Sequence, residues 1–224
     1  MHKTLYLPRL LNSAQELEAA AQTLTHAFDH DPLMSYIVPG SLNRARQLPG
    51  FFQGCLQYGC KNGTVYVATS DETNLTAATA NPAIAGVALW LGPGAKVNMT
   101  TQRVIRAGLT VKMLKVIFKL GWANMMRLFR VSDHTEKMHT LQMTEPHWYL
   151  MFLGVETTLQ GHGIGSKLLQ PVLAKARSDG LPCYLETMNS QNVPFYQRHG
   201  FKLLETSVIP KGGPKMWPML YSQI

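Results

Sequence analysis

The chain has 224 residues, room for one large domain or two small ones and enough to bury a core without disulfide staples. Apolar residues make up 46%, charged residues 15% and aromatic residues 9%, which excludes a disordered or collagen-like chain. The formal charge of +8 comes from 21 Lys and Arg against 13 Asp and Glu, and it is local. Lys96, Arg103, Arg106, Lys112, Lys115, Lys119, Arg127 and Arg130 fall within residues 96–131 with no acid among them, and the rest of the chain is neutral.

In chain order, the opening residues lead into no apolar signal core, because Pro8, Arg9 and Asn12 interrupt it. Ser13-Ala14-Gln15-Glu16 has the form of a capping box, and Leu17, Ala20, Leu24, Ala27 and Phe28 follow at helical spacing. A helix is predicted over 13–28, stopped by Asp31-Pro32. A second helix is predicted over 41–60, broken or begun at Pro49 and ended by Asn62-Gly63. Strands are predicted at 64–69 and, nearly all apolar, at 84–91. Helices follow at 101–120, where Lys112, Lys115 and Lys119 share a face, and at 122–129. The remainder alternates: strand 147–155, helix 163–178, strand 183–188, short helix 193–199, then strands 201–209 and 215–220. That rhythm predicts an α/β or α+β sheet with helices on its faces.

Cys55, Cys60 and Cys183 are an odd set without framework spacing, which fits a reducing, cytoplasmic setting; Cys55 and Cys60 read as buried thiols. The longest apolar stretch, 104–120, carries four basic residues and is a poor bilayer span. The basic segment reads as a helical insertion with solvated Lys and Arg, so neither nucleic acid nor a stable membrane association is expected. His26 and His30 have no third and fourth ligand nearby. His134-Thr135-Glu136 with Pro182-Cys183 lacks the second cysteine of a zinc deaminase, since position 186 is Glu. No metal site is expected.

The segment richest in chemistry is Leu153-Gly154-Val155, then Gln160-Gly161-His162-Gly163-Ile164-Gly165-Ser166 at the start of a helix. Glycines between strand and helix let backbone approach a ligand, and the free amides of the first helical turn suit a phosphate or pyrophosphate. A turn that only joins strand to helix is the plainer reading. A dinucleotide fingerprint does not fit, because the third glycine comes one residue early and only 59 residues follow Gly165. A P-loop lacks its Gly-Lys-Ser/Thr.

Gln160-x-x-Gly163-x-Gly165 resembles the Q/R-x-x-G-x-G/A acetyl-CoA signature of the GNAT N-acetyltransferase superfamily. Asn192-Val193-Pro194-Phe195-Tyr196 followed by Gly200-Phe201 is similar to that superfamily's N-x-x-x-(F)-Y…GF segment. Over residues 148–219 the likeness is greatest to its puromycin N-acetyltransferase branch. The resemblance implies a GNAT-like mixed, mostly antiparallel central sheet flanked by helices, in one domain over 1–224. A helical insertion at 92–146, between the third and fourth strands, would line the acceptor site with the loop 29–39.

The resemblance further implies acetyl-CoA as co-substrate. Backbone of Leu153, Gly154 and Val155 would hold the pantetheine arm. Gln160, Gly161, His162, Gly163, Ile164, Gly165 and Ser166 would cradle the pyrophosphate, the His162 side chain itself having no chemical role. Asn192 and Tyr196 would touch the cofactor arm. Acetyl would pass directly to a primary amine of a small molecule in a ternary complex. Tyr196 is then the candidate acid and the Val155 amide the oxyanion donor. Glu186 is the candidate base, its pKa raised by partial burial. Glu186 could equally anchor an ammonium group; His147, Glu145 and a water relay are the other candidates for the base. A sensor without turnover and a peptide acetyltransferase are the competing functions, and a homodimer is left open.

Overall fold

The computed structural model describes residues 6–70, 83–95 and 121–222. The helix expected at 101–120 lies outside them. Strand β1 (Tyr6–Leu10) is followed by helices α1 (Ala14–Phe28), α2 (Pro32–Ile37) and α3 (Ser41–Asn62). Then come β2 (Gly63–Ser70), β3 (Ile84–Leu91), α4 (Trp122–Gln142), β4 (Trp148–Val155) and α5 (Ile164–Asp179). The chain ends with β5 (Cys183–Thr187), α6 (Val193–Arg198), β6 (Lys202–Leu203), β7 (Ser207–Val208) and β8 (Lys215–Tyr221).

The sheet runs β1-β2-β3-β4-β5-β8-β6, with β7 also on β8. Among the described residues only β4 and β5 pair in parallel, so the sheet is mixed and mostly antiparallel, as the resemblance implies, with a helix between the third and fourth strands. Alternation along β3 separates two cores. Val87, Leu89 and Leu91 point into a cluster with Leu24, Phe52, Leu56, Met125 and Val131 of α1, α3 and α4. Ala88 and Trp90 point into the other, with Leu168, Leu169 and Val172 of α5 and Tyr196 of α6.

Local chemistry accounts for the helix ends. Ser13 Oγ accepts from the Glu16 amide at 3.1 Å, while the Glu16 carboxylate accepts from the Asn12 amide and pairs with Arg9. Asp31, which ends α1, caps α2 by accepting from the Leu33 amide at 2.9 Å. The segment 29–39, expected as a loop, therefore contains a helix. Buried Arg44 of α3 clamps this corner, donating from Nε to Asp29 Oδ1 and from Nη1 to the Val38 carbonyl.

The structure corrects several expectations. Helix α3 runs through Pro49 unbroken, because the proline costs one hydrogen bond while Leu48, Phe52 and Leu56 bury a continuous stripe. Helix α4 continues past Phe129 to Gln142. The segment 201–209 is two short strands, since three residues, 204–206, face two on β8 and one of those is Pro218, which has no amide to donate. The edge strand β1 was not expected. Cys60 is exposed, unlike Cys55 and Cys183. Among the described residues no helix is long and apolar enough to cross a membrane.

Candidate active site

The site begins with an irregularity in β4. Its pairing with β3 shifts from Leu89↔Phe152 to Trp90↔Leu150, leaving Met151 as the extra residue of a β-bulge. Strand β4 pairs with β5 only at Trp148↔Cys183, Tyr149↔Tyr184 and Leu150↔Leu185, although both strands continue. The two part there and leave a wedge. The Glu156 amide donates to the Ala85 carbonyl of β3 at 2.9 Å, so strand alternation turns the N–H and C=O of Val155 to the wedge side. On that side the Val155 carbonyl accepts from the Gln160 side chain at 3.3 Å.

Beyond β4 the chain makes a 3-10 turn, Thr157–Leu159, and enters the glycine loop. Gly161 and Gly163 have φ of +81° and +75°, a left-handed conformation that favours glycine, and a Cβ at either position would meet nothing within 4 Å. Gly163 is the N-cap of α5, with no side chain capping it, in contrast to α1 and α2. The amides of Ile164, Gly165 and Ser166 are thus the orphan donors at the positive end of a 16-residue helix. Gly165 and Gly154 also serve packing: a Cβ would come within 3.2 Å of Phe195 Cζ at the first and 2.8 Å of Leu24 Cδ2 at the second. The exposed His162 ring bonds locally, to the carbonyls of Leu159 and Gln160.

Asn192 closes a 3-10 turn, Ser190–Asn192, and its side chain donates to Thr187 Oγ1 at the end of β5 (3.4 Å). Tyr196 follows on α6, buried between Phe195 and Phe201. Burial, and then the nearby Asp31 carboxylate, push the Tyr196 hydroxyl pKa upward, so it stays protonated. Burial likewise raises the pKa of Asp31.

On the opposite face of the sheet lies a pocket of about 120 Å³. Its walls are Leu33, Met34 and Ile37 of α2, Phe51 and Cys55 of α3, and a stripe of α4 from Leu128 to His139. Its floor is Tyr149, Met151 and Phe152 of β4 with Glu186 and Met188, which lie beyond the last residue of β5 that pairs with β4. The bulge explains why Met151 and Phe152, adjacent in sequence, both face this pocket.

Glu186 is the polar centre of the pocket. Its side chain is 2% exposed, and Oε1 has no hydrogen-bond partner. Burial pushes its pKa up to about 7, moderated by hydrogen bonds from Tyr149 and Tyr184 and reinforced by the Glu136 charge. His139 Nδ1 stands 4.0 Å from Oε1, and burial, helped by His147, lowers its pKa to about 4. The Cys55 thiol is pushed up to about 12 by burial, so it is no nucleophile at neutral pH.

Of the residues expected at the site, the structure gathers Leu153, Gly154, Val155, Gln160 and the loop 161–166 at the wedge. It sets Asn192 and Tyr196 on the α6 side and Glu186 in the pocket. Glu136, His139 and Tyr149, which surround Glu186, had not been foreseen. A signal existed: Val131, Ser132, Thr135, Glu136 and His139 fall on one face of α4 once that helix is extended beyond Phe129. Among the described residues no cluster of metal-ligating side chains exists.

The comparisons agree with this geometry. Residues 121–201 match the model of the acetyltransferase (GNAT) family. An uncharacterized N-acetyltransferase of Schizosaccharomyces pombe is 27% identical over 208 residues, covering 91% of this chain and 77% of the relative. Among solved structures, one from Corynebacterium glutamicum, described as histone acetyltransferase HPA2 and related acetyltransferase, superposes with a TM-score of 0.65 at 20% identity. It covers 98% of this chain and 97% of its own. A mosquito arylalkylamine N-acetyltransferase, like 5b, gives 0.60 at 16% identity over 98% and 100% of the two chains. Residues 121–201 thus resemble GNAT-type acyltransferases, and the whole chain shares the fold of such enzymes.

Proposed function

We propose that the protein moves an acetyl group from acetyl-CoA to the primary amine of a small molecule, by direct attack within one ternary complex. The observation that carries this reading is the place where β4 and β5 part. Met151 and Phe152 at the bulge and Glu186 and Met188 beyond the last β4–β5 pair line the same pocket, so the wedge and the pocket meet at one carboxyl group. A mostly apolar pocket of about 120 Å³ suits the body of a small amine better than a protein segment. Such an acceptor is in keeping with the fold likeness to an arylalkylamine acetyltransferase.

The residues present fit the coenzyme. Open space over Gly161 and Gly163, the uncapped start of α5 and the exposed edge of β4 would hold the pyrophosphate and pantetheine arm. When bound, the coenzyme supplies the activated acyl group. Glu186 takes the proton of the attacking amine as the C–N bond forms, which its pKa near 7 suits at neutral pH. The Val155 amide, facing the wedge, donates to the oxygen that gains charge. Tyr196, kept protonated by burial, would give its proton to the sulfur as the C–S bond breaks and be reprotonated from solvent. Because the Cys55 thiol stays protonated, no acyl-cysteine step is called for.

A thiol-release assay over arylalkylamines, polyamines, aminoglycosides, aminonucleosides and peptides tests the reading; the aminonucleosides follow from the puromycin-branch likeness of residues 148–219. Turnover with a small amine is the expected result. Turnover with peptides alone would move the assignment to protein acetylation, and coenzyme binding without turnover would make the protein a sensor.

A further inference from the structure

The buried base leaves a problem that the pocket does not solve by itself. Each turnover loads Glu186 with a proton, yet its side chain is 2% exposed. The proton must reach solvent before the next amine can be activated. Glu136 and His139 of α4, Tyr149 of β4 and Tyr184 of β5 are the titratable groups around it. Tyr149 and Tyr184 have pKa values pushed upward by burial and by Glu186, so both stay protonated and cannot carry the proton away.

One path leads outward. His139 Nδ1 faces Glu186 Oε1 at 4.0 Å, and its Nε2 lies 2.6 Å from His147 Nε2. The half-exposed His147 places Nδ1 2.6 Å from the Glu145 carbonyl oxygen. A carbonyl only accepts, so Nδ1 of His147 carries hydrogen and Nε2 of its neutral ring is the acceptor. It follows that His139 Nε2 is the donor and His139 Nδ1 presents a lone pair to Glu186. The tautomers are therefore aligned in one direction from pocket to surface. Aromatic packing of His139 against Tyr149, Tyr184 and His147 holds the ring in that orientation.

We propose that His139 and His147 form a proton exit route that regenerates Glu186 after each acetyl transfer. The proton on Glu186 Oε1 passes to His139 Nδ1 after a small rotation of the carboxyl group. His139 passes the hydrogen on Nε2 to His147 Nε2, and His147 releases one proton to a buffer base. Glu186 ends as carboxylate and both rings are neutral again, with the starting tautomers restored by exchange of ring protons with water. The low pKa of His139 keeps it from storing the proton. Both histidines act through Glu186 and are positioning residues, and the inference rests on the proposed role of that carboxyl.

The test is His147→Ala, at a half-exposed position outside the core, assayed with acetyl-CoA and an accepted amine. Its kcat should fall roughly tenfold in dilute buffer, with KM for the amine unchanged, and recover on adding free imidazole. His139→Gln, which keeps the size but cannot relay, should lose kcat similarly. Glu186→Gln should lose activity that imidazole does not restore. Wild-type kcat in His147→Ala at every buffer concentration would overturn the exit route while leaving Glu186 as base. Full activity in Glu186→Gln would remove the base itself, and the route with it.

Discussion

The proposed coenzyme corner and the proposed acceptor pocket meet at the same wedge yet are built by different means. The corner is continuous in sequence: residues 153–166 supply a strand edge, two left-handed glycines and the uncapped start of α5. Its chemistry is main-chain amides, which need only a backbone shape. The pocket draws on α2, α3, α4, β4 and β5, from Leu33 to Met188, and its chemistry is side chains shifted by burial. A backbone site tolerates divergence around it, whereas a side-chain site changes with any one of five elements. The difference teaches where specificity should vary in proteins of this shape.

Substitutions can separate the two regions. The largest effect is expected in the pocket: Glu186→Gln should lower kcat by about 10²- to 10⁴-fold while calorimetry shows unchanged coenzyme affinity. Equal losses in both would mean the regions are one site. At the corner, Gly163→Val forces a β-branched residue to φ near +75° and should weaken coenzyme binding by roughly tenfold or more, with circular dichroism unaltered. Native affinity in that variant would discard the phosphate cradle. Tyr196→Phe lies between the regions and should reduce the acetylation rate by up to about 10²-fold, with a much smaller change in coenzyme affinity.

Smaller effects come with pH. With Glu186 as base, kcat/KM should rise as pH passes about 7, and the Glu186→Gln variant should lose that inflection. For stability the signs oppose. The folded pKa of Glu186 is raised from 4.5 to about 7, so its contribution is present at low pH and lost as pH rises through that window. His139 is lowered from 6.5 to about 4, so its contribution is present above 6.5 and lost as pH falls toward 4. The two offset each other between these limits. Urea midpoints of Glu186→Gln should therefore climb with pH across that range more steeply than those of wild type. Parallel curves would show that the two groups are not buried together.

The sequence by itself determined what depends on neighbours a few positions apart. The capping chemistry at Ser13, the apolar run of β3 and the glycine loop before α5 were all legible, because periodicity and left-handed turns are written locally. The order of elements predicted only an α/β or α+β sheet, and the mostly antiparallel form was implied by the resemblance of two short motifs. Tertiary structure decided the rest. It carried α3 through Pro49, extended α4 over the pocket, split 201–209 at Pro218 and left Cys60 exposed. It also placed His139 between Glu186 and His147, with Glu186 on β5, His147 just before β4 and His139 on α4. No spacing in the sequence encodes that meeting, since it arises only when burial of the α4 stripe brings three distant segments to one point.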